Sequence, residues 1–156
     1  MIRKIQPKDI TRIADIWLES SIIAHDFISA EFWRSNYDVM VNELLPKSHG
    51  YVFVIDAETV GFVVDTEGFI DAFFVDPKNQ GIGIGASLMR HIQQEHSKIS
   101  LCVYKDNELA KRFYQSHGFV VTGENTCSHT GCPEFKMEWK KGNVRKQAQQ
   151  VVAPDS

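Results

Sequence analysis

The sequence predicts an α/β fold of the α+β kind, a single domain in which helices flank a mixed, mostly antiparallel sheet. Three observations predict it. Three runs rich in β-branched and aromatic residues, Tyr51 to Ile55, Val60 to Val64 and Phe69 to Val75, lie only a few residues apart. Connections that short cannot hold a helical crossover, so the three form an antiparallel meander. Past Pro77 the pattern changes to a glycine cluster, a helical stretch and another strand, which supplies one helical crossover. Finally, 156 residues of which 43% are hydrophobic suit one core that needs neither disulfide nor metal to hold it.

Taken in order, Ile2 to Ile5 is a short strand, ended by Pro7 and Asp9, which suit the start of a helix. Ile10, Ile13, Ala14 and Trp17 recur at helical spacing, and a second helix is predicted from about Ser29 to Leu45. Its apolar contacts are Phe32, Trp33, Met40 and Leu44, with Pro46 and Gly50 closing it. After the meander and the glycines, a helix presents Leu88, Met89 and Ile92 on one face and leads to a strand from Ile99 to Tyr104. Asn107 caps the next helix, where Ala110, Phe113, Tyr114 and His117 fall at i, i+3, i+4 and i+7, and Gly118 ends it in a left-handed conformation. Strands near Phe119 to Gly123 and Phe135 to Trp139 flank a loop holding Gly131 and Pro133. The domain is expected over residues 1–140. Residues 141–156, rich in Gln, Lys and Ala with no aromatic residue, read as a disordered tail.

Charge narrows the partners. The formal net charge of -3 conceals a body, residues 1–139, with 13 basic and 19 acidic side chains. Such a body repels a phosphate backbone, so no nucleic acid is expected as the main partner. Between Lys47 and Lys78 there is no Lys or Arg, while Asp56, Glu58, Asp65, Glu67, Asp71 and Asp76 all fall there. Cationic partners fit that bias, although most of these acids read as solvated turn residues. No apolar stretch approaches the roughly 20 residues of a membrane span. The odd count of three cysteines, the lack of a leader ahead of Ile2-Arg3-Lys4 and the placement of Cys102 in an apolar run favour free thiols and a cytoplasmic location.

The most informative stretch is Val75-Asp76-Pro77-Lys78-Asn79-Gln80-Gly81-Ile82-Gly83-Ile84-Gly85-Ala86, a strand end, a turn and alternating glycines that open a helix. Residues without side chains let a ligand approach the backbone, and the first amides of the helix, aided by its dipole, suit an anion such as a pyrophosphate. A purely structural reading, glycines for a tight turn and close helix packing, stands beside it. The phosphate-loop pattern is absent because no Lys follows Gly85. Gly81, Gly83 and Ala86 satisfy the dinucleotide fingerprint, with Asp106 about 20 residues on. The hairpin-linked strands ahead of the loop argue against that fold, which leaves NAD binding a minor alternative.

Here the residues resemble a known family. Gln80-Gly81-Ile82-Gly83-Ile84-Gly85 is similar to the acetyl-CoA pyrophosphate loop of the GCN5-related N-acetyltransferase (GNAT) superfamily, and Val75-x-Pro77 before it matches as well. Downstream, Asn107-x-x-Ala110-x-x-Phe113-Tyr114-x-x-x-Gly118-Phe119 resembles the family's second motif. Two motifs in order are far more specific than either alone. Trp17-x-x-Ser20 with His25-Asp26-Phe27, and Ile70-Asp71-Ala72-Phe73-Phe74-Val75, resemble more loosely the small bacterial YjaB-like and YiaC-like acetyltransferases.

The resemblance implies a sheet splayed at its centre, with the pantetheine of acetyl-CoA beside the strand ending at Val75 and lined by Phe73, Phe74 and Val75. It implies pyrophosphate binding by the amides of Gly81, Ile82, Gly83, Ile84, Gly85 and Ala86, with Gln80 shaping the loop. Asn107 divides between helix cap and cofactor contact, and Phe113 belongs to the same motif. Tyr114 occupies the family's tyrosine position, where a phenol serves as acid to the departing thiolate; the competing reading is a core aromatic.

An amine must lose a proton to attack, since a free lysine amine has a pKa of about 10.4. Asp71, a carboxylate inside an apolar strand, is the first candidate base or acceptor contact, and its rival reading is a solvent-facing strand residue. His25 is the second candidate, as a base or as a residue that shapes the acceptor site. Phe27 and Trp33, with Trp17 and Phe32, are either a wall of the acceptor pocket or core. Cys127, His129 and Cys132 fall one ligand short of a structural zinc site and lack its spacing, so no metal is expected. No local motif supports a cysteine nucleophile.

The reading is a transferase, an acyltransferase moving acetyl from acetyl-CoA directly to a primary amine. Resemblance implies a protein lysine side chain or an N-terminal amine. A small cationic amine (polyamine, aminoglycoside, amino acid) and a non-catalytic acyl-CoA sensor are the alternatives. A monomer or homodimer is expected.

Overall fold

A computed structural model describes residues 1–142. The described residues divide into two compact units, 1–90 and 91–142. The first carries β1 (Ile2–Lys4), α1 (Ile10–Ala24), α2 (Ala30–Ser35), α3 (Tyr37–Val39), β2 (His49–Ile55), β3 (Glu58–Thr66) and β4 (Phe69–Val75). Helix α4 (Ile84–Glu95) runs across the division, and the second unit holds β5 (Lys98–Tyr104), α5 (Glu108–Ser116), β6 (Val120–Thr126) and β7 (Pro133–Lys140).

In the first unit β1 pairs with β2, β2 with β3 and β3 with β4, each antiparallel. The predicted meander is therefore present. Its turns explain two of the acidic residues: Asp56 and Ala57, at φ 50° and 65°, join β2 to β3, and Glu67 and Gly68, at φ 50° and 90°, join β3 to β4. Positive φ at both central positions matches the twist of a tight hairpin. Helix α1 packs on β3 and β4 through a stripe of Ile13, Ala14, Ile16 and Trp17. Each of the two isoleucines removed from water contributes about 1.5–3 kcal/mol.

Gly50 departs from expectation. Rather than closing the preceding helix it lies inside β2, where an added Cβ would run into the Val63 carbonyl oxygen.

The predicted helix from Ser29 to Leu45 is also broken. Ser29 caps α2 by accepting from the Phe32 N–H, but Ser35 Oγ and Asn36 Nδ2 both donate to the Phe32 carbonyl, at 2.8 and 2.7 Å. Side chains competing for a helical acceptor end the helix there. Beyond α3 the chain takes a π turn over Met40–Leu44, in which the Leu45 N–H donates to the Met40 carbonyl. That wider turn shifts the buried face by one residue. Leu45 is buried and Leu44, the predicted contact, is 53% exposed.

In the second unit β5 pairs with β7 and β7 with β6, again antiparallel. Along β5 the buried Ile99, Leu101 and Val103 alternate with Lys98, Ser100 and Cys102. Cys102, expected inside an apolar run, is thus exposed because a half-buried strand sends alternate residues to solvent. The expected tail falls mostly on residues outside those described. Of its described members, Lys141 donates its N–H to the Ser97 carbonyl at 3.0 Å.

Candidate active site

The corner between β4 and α4 is built from the backbone outward. Asp76 turns the chain as β4 ends: its N–H donates to the Val60 carbonyl at 2.8 Å, and its buried carboxylate accepts from the Lys78 N–H and from the Arg12 guanidinium. Arg12 also donates to the Thr59 carbonyl at 3.0 Å and to Glu58 at 3.1 Å. One residue of α1 therefore braces the start of β3 and the exit of β4. Gln80 Nε2 reaches back to the Val75 carbonyl at 3.1 Å, which folds the loop over the strand end.

Gly81 and Gly83 stand at φ 85° and 89°. An added Cβ at either would meet nothing within 4 Å, so the backbone angle, not crowding, calls for glycine. Ile82 between them is 66% exposed. The Ser87 N–H donates to the Gly83 carbonyl at 3.0 Å, which makes the amides of Ile84, Gly85 and Ala86 the ones a helix start leaves without an intrahelical acceptor. Gly61 on β3 sets where that helix lies: a Cβ there would come 3.1 Å from Ile84 Cγ2 and 3.4 Å from Leu88 Cδ1. Neither Gly61 nor Arg12 stood out in the sequence, since their partners lie tens of residues away.

Asp71 sits at the other end of β4. Val64 faces Ala72 and Asp65 faces Ile70, which leaves Asp71 as the extra residue of a β-bulge, a device that re-aims a side chain. Its exposed carboxylate accepts from the Thr66 hydroxyl at 2.7 Å. Partial desolvation raises its pKa above the ordinary carboxylate value, opposed by the Thr66 hydroxyl and assisted by the neighbouring Asp65 charge. Phe73, Phe74 and Val75 follow, all half-buried.

The acidic bias noted in the sequence resolves into local duties. Asp56 and Glu67 form turns, Asp65 accepts from the Gly68 N–H at 3.0 Å, and Glu58 and Asp76 hold Arg12. Asp71 is exposed, as Asp56, Glu58 and Glu67 are, and it is the one of these four that lies within the strand leading to the glycine loop, with the Thr66 hydroxyl as its described donor.

His25, Phe27 and Trp33 come together in one aromatic cluster. The His25 ring stacks on Trp33 with centroids 5.2 Å apart and meets Phe27 edge-on at 5.7 Å, while Trp17 meets Trp33 edge-on at 5.7 Å. His25 follows α1, its N–H donating to the Ser21 carbonyl at 3.0 Å. Burial pushes its imidazole down to about 4, outweighing the opposing Ser21 contact, so the ring is neutral near pH 7. Trp17 and Trp33 are buried and Phe27 is half-buried.

The second unit places Asn107, Phe113 and Tyr114 on or beside α5. Asn107 Oδ1 accepts from the Ala110 N–H at 3.2 Å and caps the helix. Gly118, at φ 94°, follows its end. Tyr114 is half-buried, its ring 5.5 Å from Phe113 and 5.7 Å from Phe119. Burial raises its phenol pKa, which keeps the hydroxyl protonated at physiological pH.

A glycine-opened helix thus follows a bulged strand, and a capped helix bearing a half-buried tyrosine comes later in the chain. The family model described as "Acetyltransferase (GNAT) domain" matches residues 21–141. The chain belongs to the GNAT acetyltransferases. Its relatives include the peptidyl-lysine N-acetyltransferase YiaC of Escherichia coli K12, 36% identical over 140 residues that cover 89% of this chain and 96% of that protein. The peptidyl-lysine N-acetyltransferase YjaB of the same organism is 32% identical over 133 residues, covering 85% and 90%. The solution structure of apo YjaB from Escherichia coli superposes with a TM-score of 0.79 at 29% identity, over 89% of this chain and 96% of that one. This GNAT enzyme thus has the family's single α/β domain with seven mostly antiparallel strands. It is an acyltransferase, and acetyl-CoA is the acetyl donor of its family. Among the described residues no helix is long and apolar enough to cross a membrane.

Proposed function

We propose that this GNAT enzyme moves the acetyl group of acetyl-CoA directly to a primary amine of a protein, a lysine side chain or an N-terminal amine. The observation that carries the donor half is the loop from Gln80 to Ala86. Two glycines at positive φ followed by three helix-start amides form a backbone anion site of the kind a pyrophosphate takes. Gln80 holds that loop to the end of β4, and Phe73, Phe74 and Val75 offer the half-buried surface on which a pantetheine arm lies. The naming of YiaC and YjaB as peptidyl-lysine N-acetyltransferases supports the acceptor half.

The chemistry assigns one role to each end of the reaction. The amine arrives as an ammonium, which Asp71, an exposed acid, attracts and which loses its first proton to solvent. The neutral nitrogen attacks the thioester carbonyl, the C–N bond forms and makes that nitrogen acidic, Asp71 takes its second proton directly or through water, the C–S bond breaks and sulfur leaves as a thiolate. Tyr114 is protonated at that moment. Because a thiol titrates near 8.5 and this phenol above its ordinary 10, full transfer from Tyr114 runs uphill. Its part is therefore a hydrogen bond to the developing thiolate, the proton that ends on sulfur being resupplied from solvent. Asn107, with Phe113 on the same helix, is read as a further contact to the donor. His25, Phe27 and Trp33 form a rigid neutral wall beside the acceptor.

The test is a thiol-release assay with lysine-containing peptides, N-terminal-amine peptides and polyamines, run on wild type and Tyr114→Phe. A hydrogen bond to a charged partner is worth about 1.5–3 kcal/mol, so turnover should fall roughly 10- to 100-fold while acetyl-CoA affinity is kept. Equal turnover would remove Tyr114 from the mechanism. Binding of acetyl-CoA with no thiol release on any amine would favour a sensor.

A further inference from the structure

The loop between β6 and β7 holds two cysteines that acetyl transfer does not use. Thr126 faces Pro133 at the last register pair of the two strands, and the Cys127 N–H donates to the Cys132 carbonyl at 2.8 Å. The two cysteines thus occupy the next facing position. Facing residues of an antiparallel pair project to the same side with Cα atoms about 5.5 Å apart, inside the span a disulfide bridges. Both residues are half-buried free thiols, within reach of a small oxidant.

The surroundings distinguish the two sulfurs. The Tyr104 hydroxyl of β5 lies 3.5 Å from Cys127 Sγ. The loop is held by the Gly131 N–H on the Cys127 carbonyl at 2.8 Å and by the Cys132 N–H on Thr130 Oγ1 at 3.2 Å. Partial burial alone would raise the Cys127 thiol. Hydrogen bonds from the Thr130 and Tyr104 side chains and from the backbone of His129 and Thr130 outweigh it, and bring the thiol down to about 7. Cys102, exposed on β5, moves the other way, raised by partial desolvation and by Glu134.

We propose that Cys127 and Cys132 form a peroxide-responsive thiol pair, in which Cys127 is oxidised first and Cys132 closes a reversible disulfide across the mouth of the β6–β7 loop. The Cys127 thiolate attacks one peroxide oxygen; an S–O bond forms, the O–O bond breaks, and hydroxide leaves to become water. The Cys132 sulfur then attacks the Cys127 sulfenic acid; the S–S bond forms, the S–O bond breaks, and a second water leaves with the Cys132 proton. Two thiols lose two electrons and one peroxide is reduced to two waters. Cys102 takes no part.

The experiment treats the full chain with a few equivalents of hydrogen peroxide near pH 7, counts thiols and maps tryptic peptides. Phe113 to Lys136 is one tryptic peptide and holds both cysteines, while Ile99 to Lys105 holds Cys102. The expected result is a Phe113–Lys136 peptide lighter by two hydrogens and restored by dithiothreitol, with the Cys102 peptide unchanged. Cys132→Ser should stop at a Cys127 sulfenic acid trapped by dimedone. In the untreated protein, Cys127 should alkylate roughly tenfold faster than Cys102. Oxidation of Cys102 ahead of Cys127, a bridge involving Cys102, or alkylation of Cys127 no faster than that of Cys102 would overturn the proposal. The wild-type peptide map decides it even if a serine variant fails to fold.

Discussion

In the proposed function the two ends of β4 handle ligands by different means. At its C-terminal end the chemistry is backbone chemistry: Gly81 and Gly83 present amides at positive φ, and the side chains around them, Gln80 and Asp76, turn inward to hold the loop. At its N-terminal end the chemistry is that of one side chain, a bulged carboxylate with a hydroxyl partner. Backbone sites are fragile to any residue that cannot adopt the angle. Side-chain sites are fragile only to loss of the functional group. The two ends should therefore fail differently, one in donor binding and the other in acceptor turnover.

The largest effect is expected from Gly83→Val. A β-branched residue at φ 89° is strained although space is open around it. Local strain of about 1–3 kcal/mol combined with displaced amides should weaken acetyl-CoA binding roughly 100-fold by titration calorimetry. A variant that binds acetyl-CoA like wild type would show that the loop's angles do not matter to the donor. Next is Asp71→Asn, which keeps the shape and the Thr66 contact but removes the charge and the basic oxygen. The value of kcat/KM for the amine should fall about 100-fold, in the range general-base groups contribute, with the KM for acetyl-CoA unchanged. Loss confined to donor binding would reverse the assignment of the two ends.

The same contrast governs what could be read before any coordinates. Phe69–Val75, the glycine loop and the helix capped by Asn107 and ended before Gly118 were all legible, because each is written in local signals: β-branched runs, positive-φ glycines and a capping side chain. Asp71 was legible as an oddity, a carboxylate in an apolar strand, but not as a bulge. A bulge is a property of register, and β3 is buried from Thr59 through Asp65 on both faces, so its pattern carries no alternation to set that register. The Arg12–Asp76 pair joins residues 64 apart in sequence, and Gly61 matters only because α4 lies on it. The aromatic cluster was named residue by residue. Only the fold showed that His25 is stacked and kept neutral, which moves its reading from base toward wall. The broken second helix was missed because the competing bonds of Ser35 and Asn36, and the π turn after them, override a plausible helical period.

The smallest effect is the one that sharpens the Asp71 end most, because it alters a pKa and leaves the carboxylate in place. Thr66→Ala removes the hydroxyl that favours the charged form of Asp71, while the desolvation and the Asp65 charge that raise its pKa remain. The folded-state pKa of Asp71 must then rise further. The proposed mechanism uses this carboxylate deprotonated, so activity is present above that pKa and is lost as pH falls through it, and the acid limb of the kcat/KM profile should move to higher pH. On the alkaline plateau the charge is intact and only a neutral hydrogen bond of about 1 kcal/mol is gone, which limits the loss there to roughly fivefold. Buffers from pH 5 to 9 with saturating acetyl-CoA and a peptide amine resolve the two outcomes. A limb that stays in place with a lowered plateau would mean that Thr66 only supports the bulge; a limb that moves to higher pH in Thr66→Ala and disappears in Asp71→Asn would identify Asp71 as the group whose ionisation the reaction requires.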